Sequence, residues 1–303
     1  MQQNTTRRRF LQASLAMGAV GSFGALTSPV QAGAEYENRL IDRFWVWAHQ
    51  IDAYKNAFKL PGNTKFQPID GIRFLGVPNV IMVGYHDIPK PPFDDYYRSQ
   101  HFDELKRIYW SFVGASGRTS REEQQAALDL VRRYPNVKGV FMDDFFRGHP
   151  KKGDDQMPAS CTLSDLEKIR AELSATGKNP DLGVTLYTTD LVPLIKKHLE
   201  YCDVVSFWTW RAVDLVNLEK NFEKYRSMIP QKRTLLGIYM WDFGTGKPMP
   251  MDLMKQQCEL GRRWIKEGKI EGMIFLATNI CDLGLEAVAW TREWIAQHGS
   301  ERF

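Results

Sequence analysis

The chain has 303 residues, of which 43% are hydrophobic, enough to bury a sizeable core. Its 40 basic and 36 acidic residues are too evenly balanced to argue for nucleic acid, an anionic membrane or a strongly acidic polymer as partner. Four cysteines without a CxxC, and six histidines without an HxH or HxxxH spacing, give no zinc-knuckle or redox-pair signature, and no metal or cofactor is expected.

The first segment reads as an address rather than as part of the fold. Thr6-Arg7-Arg8-Arg9-Phe10-Leu11-Gln12 resembles the twin-arginine export signal. A short Ala- and Gly-rich apolar run to about Leu26 follows, and Val30-Gln31-Ala32 offers small residues for a peptidase. Residues 1–32 are therefore expected to be a leader read by the twin-arginine machinery through residues 6–12. Residues 33–303 form the mature domain, periplasmic or secreted, with no membrane segment. Without the leader's three arginines the chain is close to neutral.

The mature chain alternates apolar, β-rich runs with amphipathic ones. Strands are expected at Phe44–His49, Asn79–Tyr85, Ile108–Gly114 and Val137–Asp144, then at Leu182–Tyr187, Asp203–Trp208, Thr234–Trp241 and Gly272–Leu276. Gln50–Gly76 reads as a long loop with short helices. Ser120 caps a helix whose buried stripe is Ala127, Leu128, Leu130 and Val131, and further helices are expected from Ser164, over 192–201, 218–228 and 252–266, and from Leu285. Strand–helix alternation implies parallel pairing through right-handed crossovers. About eight such units in this length predict a single (β/α)8 TIM barrel, an α/β fold. A doubly wound open sheet is the alternative, but no Gly-rich phosphate loop follows any strand. Cys161 and Cys281 fall on loops at one end of such a barrel, where they either pair or remain free thiols.

A barrel carries its chemistry at the carboxyl ends of its strands, and here those ends are polar and aromatic. They hold His49 after strand one, Tyr85 and His86 after strand two, and Asp143 and Asp144 after strand four. Asp190 follows strand five, Trp208, Trp210 and Arg211 strand six, Tyr239, Trp241 and Asp242 strand seven, and Asn279 strand eight. Asp143 and Asp144 end an apolar run: either one enters the mouth as nucleophile or general base, since strand alternation keeps both from pointing to the same place, or the two acids cap the next segment or pair with Arg147. Asp242 is the natural second acid, because strands four and seven face each other across a barrel. Two carboxylates across a glycosidic bond are the minimum equipment for its hydrolysis. Flat tryptophan faces suit the C–H face of a sugar ring, whereas Trp45 and Trp110 are expected in the packing. Asp242 also reads as a turn cap before Gly244-Thr245-Gly246, and Asp190 as a helix start.

In architecture, and in the runs Gly139–Asp144 and Tyr239–Asp242, the chain resembles the TIM-barrel glycoside hydrolase superfamily. Asp143 takes the position matching the acid in the fourth-strand pattern Gly-apolar-apolar-apolar-Asp. The resemblance implies a hydrolase of oligo- or polysaccharides with its acids after strands four and seven. Both acids here are aspartates where the commonest such clan has glutamates. Two other readings stay open. One is a metal-dependent hydrolase that gathers His49, His86, Asp143, Asp144 and Asp242 round an ion. The other is a carbohydrate-binding protein without catalysis.

Overall fold

The computed structural model describes residues 38–146 and 158–303. Residues 1–32, the expected leader, and Arg147 lie outside the described residues. Eight strands run β1 Phe44–Ala48, β2 Asn79–Met82, β3 Arg107–Val113, β4 Val137–Met142, β5 Asp181–Tyr187, β6 Val204–Trp208, β7 Arg233–Tyr239 and β8 Gly272–Leu276. Each pairs in parallel with its sequence neighbours, and β1 pairs with both β2 and β8, so the sheet closes on itself. This is a (β/α)8 TIM barrel, as the alternation of runs implies.

The helices behave as their sequences dictate. Helix α3, Arg121–Arg133, starts at a reciprocal capping box: Glu123 N–H donates to Ser120 Oγ (3.1 Å) and Ser120 N–H to Glu123 Oε2 (2.6 Å). Thr162 and Asp165 repeat the device at α4, Leu163–Ser174, which starts one residue earlier than expected. The long loop after β1 holds a 3-10 turn, Ile51–Tyr54, and helix α1, Pro68–Leu75. Helix α2, Phe93–Ser99, has no counterpart in the sequence reading, because at 7 residues it is too short to show a period.

Inside the barrel, large and small residues alternate. A side chain at Gly183 would run into the Phe141 ring, 2.2 Å away, and one at Gly237 into the Trp208 ring, 2.0 Å away. The two glycines thus make room for the two rings that fill the interior. Below them Trp45 stacks on Tyr109 at 4.9 Å, and Trp110 packs outward on Phe93 of α2, both as expected. All four cysteines are free thiols. Cys281 donates to Ala277 O (3.5 Å) beneath α1, while Cys161 lies at the start of α4, so they are not bonded. Among the described residues no helix is long and apolar enough to cross a membrane.

Candidate functional site

At the carboxyl ends of the strands lies a cavity of ≈ 90 Å³ to which all eight strands or the loops after them contribute. β1 gives Trp47 and His49, and the turn after it Tyr54. Tyr85 follows β2, Ala115 follows β3, and Asp143 and Asp144 follow β4. β5 gives Thr185 and Tyr187, the sixth unit Trp208 and Trp210, the seventh Tyr239 and Phe243, and β8 Leu276. No Lys or Arg is among these lining residues.

Asp143 and Asp144 both line this cavity, which corrects the expectation that alternation would separate them. The reason is local. β4 ends at Met142, the last rung is Asp143 N–H to Val113 O (2.9 Å), and Asp144 takes a left-handed φ of 44°. Strand alternation no longer governs a residue turned this way. Asp144 then accepts hydrogen bonds from Tyr187 O–H (2.9 Å) and Ser116 N–H (2.8 Å), two donors that suit a carboxylate anion.

Asp143 is 6% exposed, and its two donors converge on one oxygen. Thr185 O–H (3.1 Å) and Asp144 N–H (2.9 Å) both reach Oδ1, which leaves Oδ2 to carry a proton. Burial, and after it the neighbouring Asp144, push the Asp143 carboxyl well above the usual carboxylate range, against those two hydrogen bonds. Around the pair the hydroxyls of Tyr54, Tyr85, Tyr187 and Tyr239 are also pushed up, by burial first and then, for Tyr54 and Tyr187, by Tyr239, and for all four by the aspartates. They remain O–H donors at neutral pH.

His49 lines the cavity but is already committed. Its Nδ1–H donates to Val83 O (2.9 Å) and its Nε2 accepts from the Trp47 indole N–H (3.0 Å). Burial lowers its pKa to about 4, partly offset by the bond to Val83, so the ring is neutral and its lone pair is occupied. Trp208 is buried and donates to Ser206 Oγ (2.7 Å), which makes it the floor of the cavity. Trp210 is 38% exposed, sets its ring edge-on to Tyr187 and Tyr239, and presents a flat apolar face at the mouth.

Other residues named from the sequence lie outside the lining. Asp242 is the main correction. Its Oδ2 accepts from Thr245 O–H (2.6 Å), its Oδ1 from Ala212 N–H (3.2 Å), and its carbonyl from Gly246 N–H (2.8 Å). It caps the turn of a two-stranded ribbon, Trp241–Asp242 with Lys247–Pro248, and does not face Asp143 across the cavity. Trp241 donates to Phe58 O, and Asn279 donates to Gln50 O and Ile51 O, so both fasten the loop after β1. Asp190 closes a 3-10 turn by accepting from Tyr187 N–H, which is the helix-start reading. Arg211 pairs with Asp214 at 2.8 Å. His86, with φ 52°, faces a neighbouring cavity. His49, His86 and the three aspartates therefore do not converge on one point, and among the described residues no three His, Cys, Asp or Glu side chains gather where an ion would sit.

Tyr54, Phe58 and Thr185 were not singled out from the sequence, although all three line the cavity. Thr185 had a signal, as the one hydroxyl within the apolar run Leu182–Leu186, two residues before Tyr187. Tyr54 and Phe58 are an aromatic pair hidden in the loop after β1.

No protein-family model matches the chain, and no curated protein sequence matches it. Solved structures do. A proposed α-L-fucosidase from Bacteroides thetaiotaomicron aligns with a TM-score of 0.56 at 11% identity, over 86% of this chain and 96% of its own. Active domain 2 of a Pyrococcus furiosus chitinase aligns with a TM-score of 0.54 at 12% identity, over 88% and 99%. A xylanase–α-amylase inhibitor protein in complex with trehalose aligns at 0.50 and 13%, over 84% and 98%. At such identities the likeness is one of fold, shared by hydrolases and an inhibitor alike.

Proposed function

We propose that the protein is a glycoside hydrolase whose working pair is Asp143 and Asp144. The observation that carries this reading is a buried Asp143 carboxyl, pushed well above the usual carboxylate range by burial and by Asp144, beside a second carboxyl that accepts from Tyr187 and Ser116, in one tryptophan- and tyrosine-walled cavity at the carboxyl ends of the strands. Asp143 Oδ2–H donates its proton to the leaving glycosidic oxygen. Asp144, on the same side of the cavity, faces the positive charge that develops on the sugar as the C–O bond breaks; a water oxygen then bonds to the anomeric carbon and its proton returns to the Asp143 carboxylate. The hydroxyls of Tyr54 and Tyr85, held protonated, donate to sugar oxygens, and Trp210 stacks on the ring. The same residues would bind a sugar without cleaving it. The placement of Asp242 outside the lining favours that second reading, since the opposed acid is then missing.

The test is a panel of neutral oligo- and polysaccharides, assayed for release of reducing sugar, with Asp143→Asn and Asp144→Asn as controls. Release that both variants abolish supports hydrolysis. Release that neither variant alters overturns the assignment of the pair. Binding without release, in the parent protein, moves the function to recognition alone.

Export by the twin-arginine route, to the periplasm or beyond, is proposed on Arg7-Arg8-Arg9-Phe10-Leu11 alone. Replacing Arg7 and Arg8 together by lysine is expected to keep the protein in the cytoplasm.

A further inference from the structure

A second and larger cavity, ≈ 290 Å³, lies on the far side of Tyr85 and Ala115, two residues that line both spaces. It is formed by the loops after β2 and β3, which are pressed together by Ala115 N–H donating to Gly84 O (2.9 Å). A side chain at Gly114 would meet Gly84 O at 2.8 Å, so only glycine allows the approach. Nothing in the hydrolytic reading uses this space.

Its chemistry is mixed in a particular way. Phe93, Trp110 and Pro89 give it an apolar, buried wall. Ser111 also lines it, 9% exposed, with no hydrogen-bond partner for its hydroxyl among the described residues. Its oxygen is open to the cavity rather than sealed in the packing, so it is free to give and take a hydrogen bond with a ligand there. At the rim stand Arg118, Asp87 and His86, all exposed and without a side-chain hydrogen bond or ion pair among the described residues. A donor-only cation, an acceptor-only anion and an imidazole beside an apolar wall match a neutral ring that carries hydroxyls, since each hydroxyl both gives and takes a hydrogen bond. An anionic ligand would meet Asp87 and Glu123, and a cationic one Arg118.

We infer that this cavity is a second sugar-binding position next to the first, so that the ligand is a neutral oligosaccharide of at least two units with Tyr85 at the junction. The inference rests on the carbohydrate reading. It adds where the chain of sugars continues, toward β2 and β3 rather than toward Arg211.

The experiment is calorimetric titration of the full chain carrying Asp143→Asn, which removes turnover. The probes are one- to four-unit series of gluco-, xylo-, manno- and N-acetylgluco-oligosaccharides. In the series that binds, affinity is expected to rise about tenfold or more from one unit to two, which is about 1.4 kcal/mol. Adding Arg118→Ala and Asp87→Ala at the exposed rim should reduce that two-unit to one-unit ratio to near one. A melting curve like the parent's establishes that the variant is folded. Binding that does not grow from one unit to two overturns the second position and leaves the carbohydrate reading intact. A ratio that survives both substitutions overturns it as well. No binding of any sugar overturns the carbohydrate reading, and the second position with it.

Discussion

The two ends of the barrel use the same residue types to opposite effect. At the amino end, Asp181 and Glu271 are paired. Arg233 binds Glu271 at 2.6 Å and Asp181 at 2.8 Å, Tyr109 O–H donates to Asp181 at 2.6 Å, and Arg107 lies over Trp45 at 4.7 Å. Burial pushes the Glu271 carboxyl up, but Arg233 and then Arg107 outweigh it, and the group ends below its ordinary value. At the carboxyl end, Asp143 is also buried, no cation lines its cavity, and its carboxyl ends well above. Buried acids thus become structural where arginine meets them and chemically poised where only hydroxyls and rings do.

The contrast breaks most visibly if activity does not follow it. Asp143→Asn and Asp144→Asn are each expected to lower kcat by about 10²- to 10⁴-fold on whichever glycan the panel identifies. Asp242→Asn should leave kcat close to the parent's. Initial rates of reducing-sugar release measure all three.

Next in size is the pH dependence of stability. The folded pKa of His49, about 4, lies below the ordinary 6.5, so the unfolded chain binds that proton more readily. Its contribution is complete above about pH 6.5 and is lost as the pH falls toward 4, amounting to about 3 kcal/mol. Asp143 works in the opposite direction. Its raised pKa costs stability as the pH climbs above the usual carboxylate range. Because Asp143 is common to both proteins, urea unfolding at pH 4 and pH 7 should show the parent losing about 3 kcal/mol more than His49→Gln on acidification.

Smaller effects sharpen the amino-end half of the comparison. Arg233→Met leaves Glu271 and Asp181 without their main cation. Because Arg233 is 45% exposed, the cost is about 1–3 kcal/mol, below that of a dry ion pair, and kcat should not change. Asp242→Ala frees Ala212 N–H and the Thr245 hydroxyl and should cost about 1 kcal/mol in a thermal melt, again without loss of turnover.

The fold was legible because the strands are continuous apolar runs between amphipathic helices, a pattern that survives without any knowledge of partners. Gly139–Met142 and Gly272–Leu276 stand out in the sequence for that reason. The site was legible in part. Asp143, Asp144, Trp208, Trp210, Tyr239, Tyr85 and His49 do come together. Alternation failed at Asp144 because the strand stops one residue before Asp143, and no local rule announces a left-handed aspartate. Asp242 was misplaced for the converse reason. Barrel geometry argued for the mouth, while the nearby signal, an aspartate ahead of Gly244-Thr245-Gly246, argued for a turn, and the turn prevailed. Tyr54 and Phe58 reach the cavity only through the path of a long loop, which no periodicity encodes.

The protonation of Asp143 can be read without knowing the sugar. A difference infrared spectrum between the parent and Asp143→Asn at pH 7 should contain the carbonyl band of a neutral carboxylic acid, lost in the variant. A spectrum showing only an ionised carboxylate at that residue would contradict the claim that the barrel's mouth holds a proton ready to give.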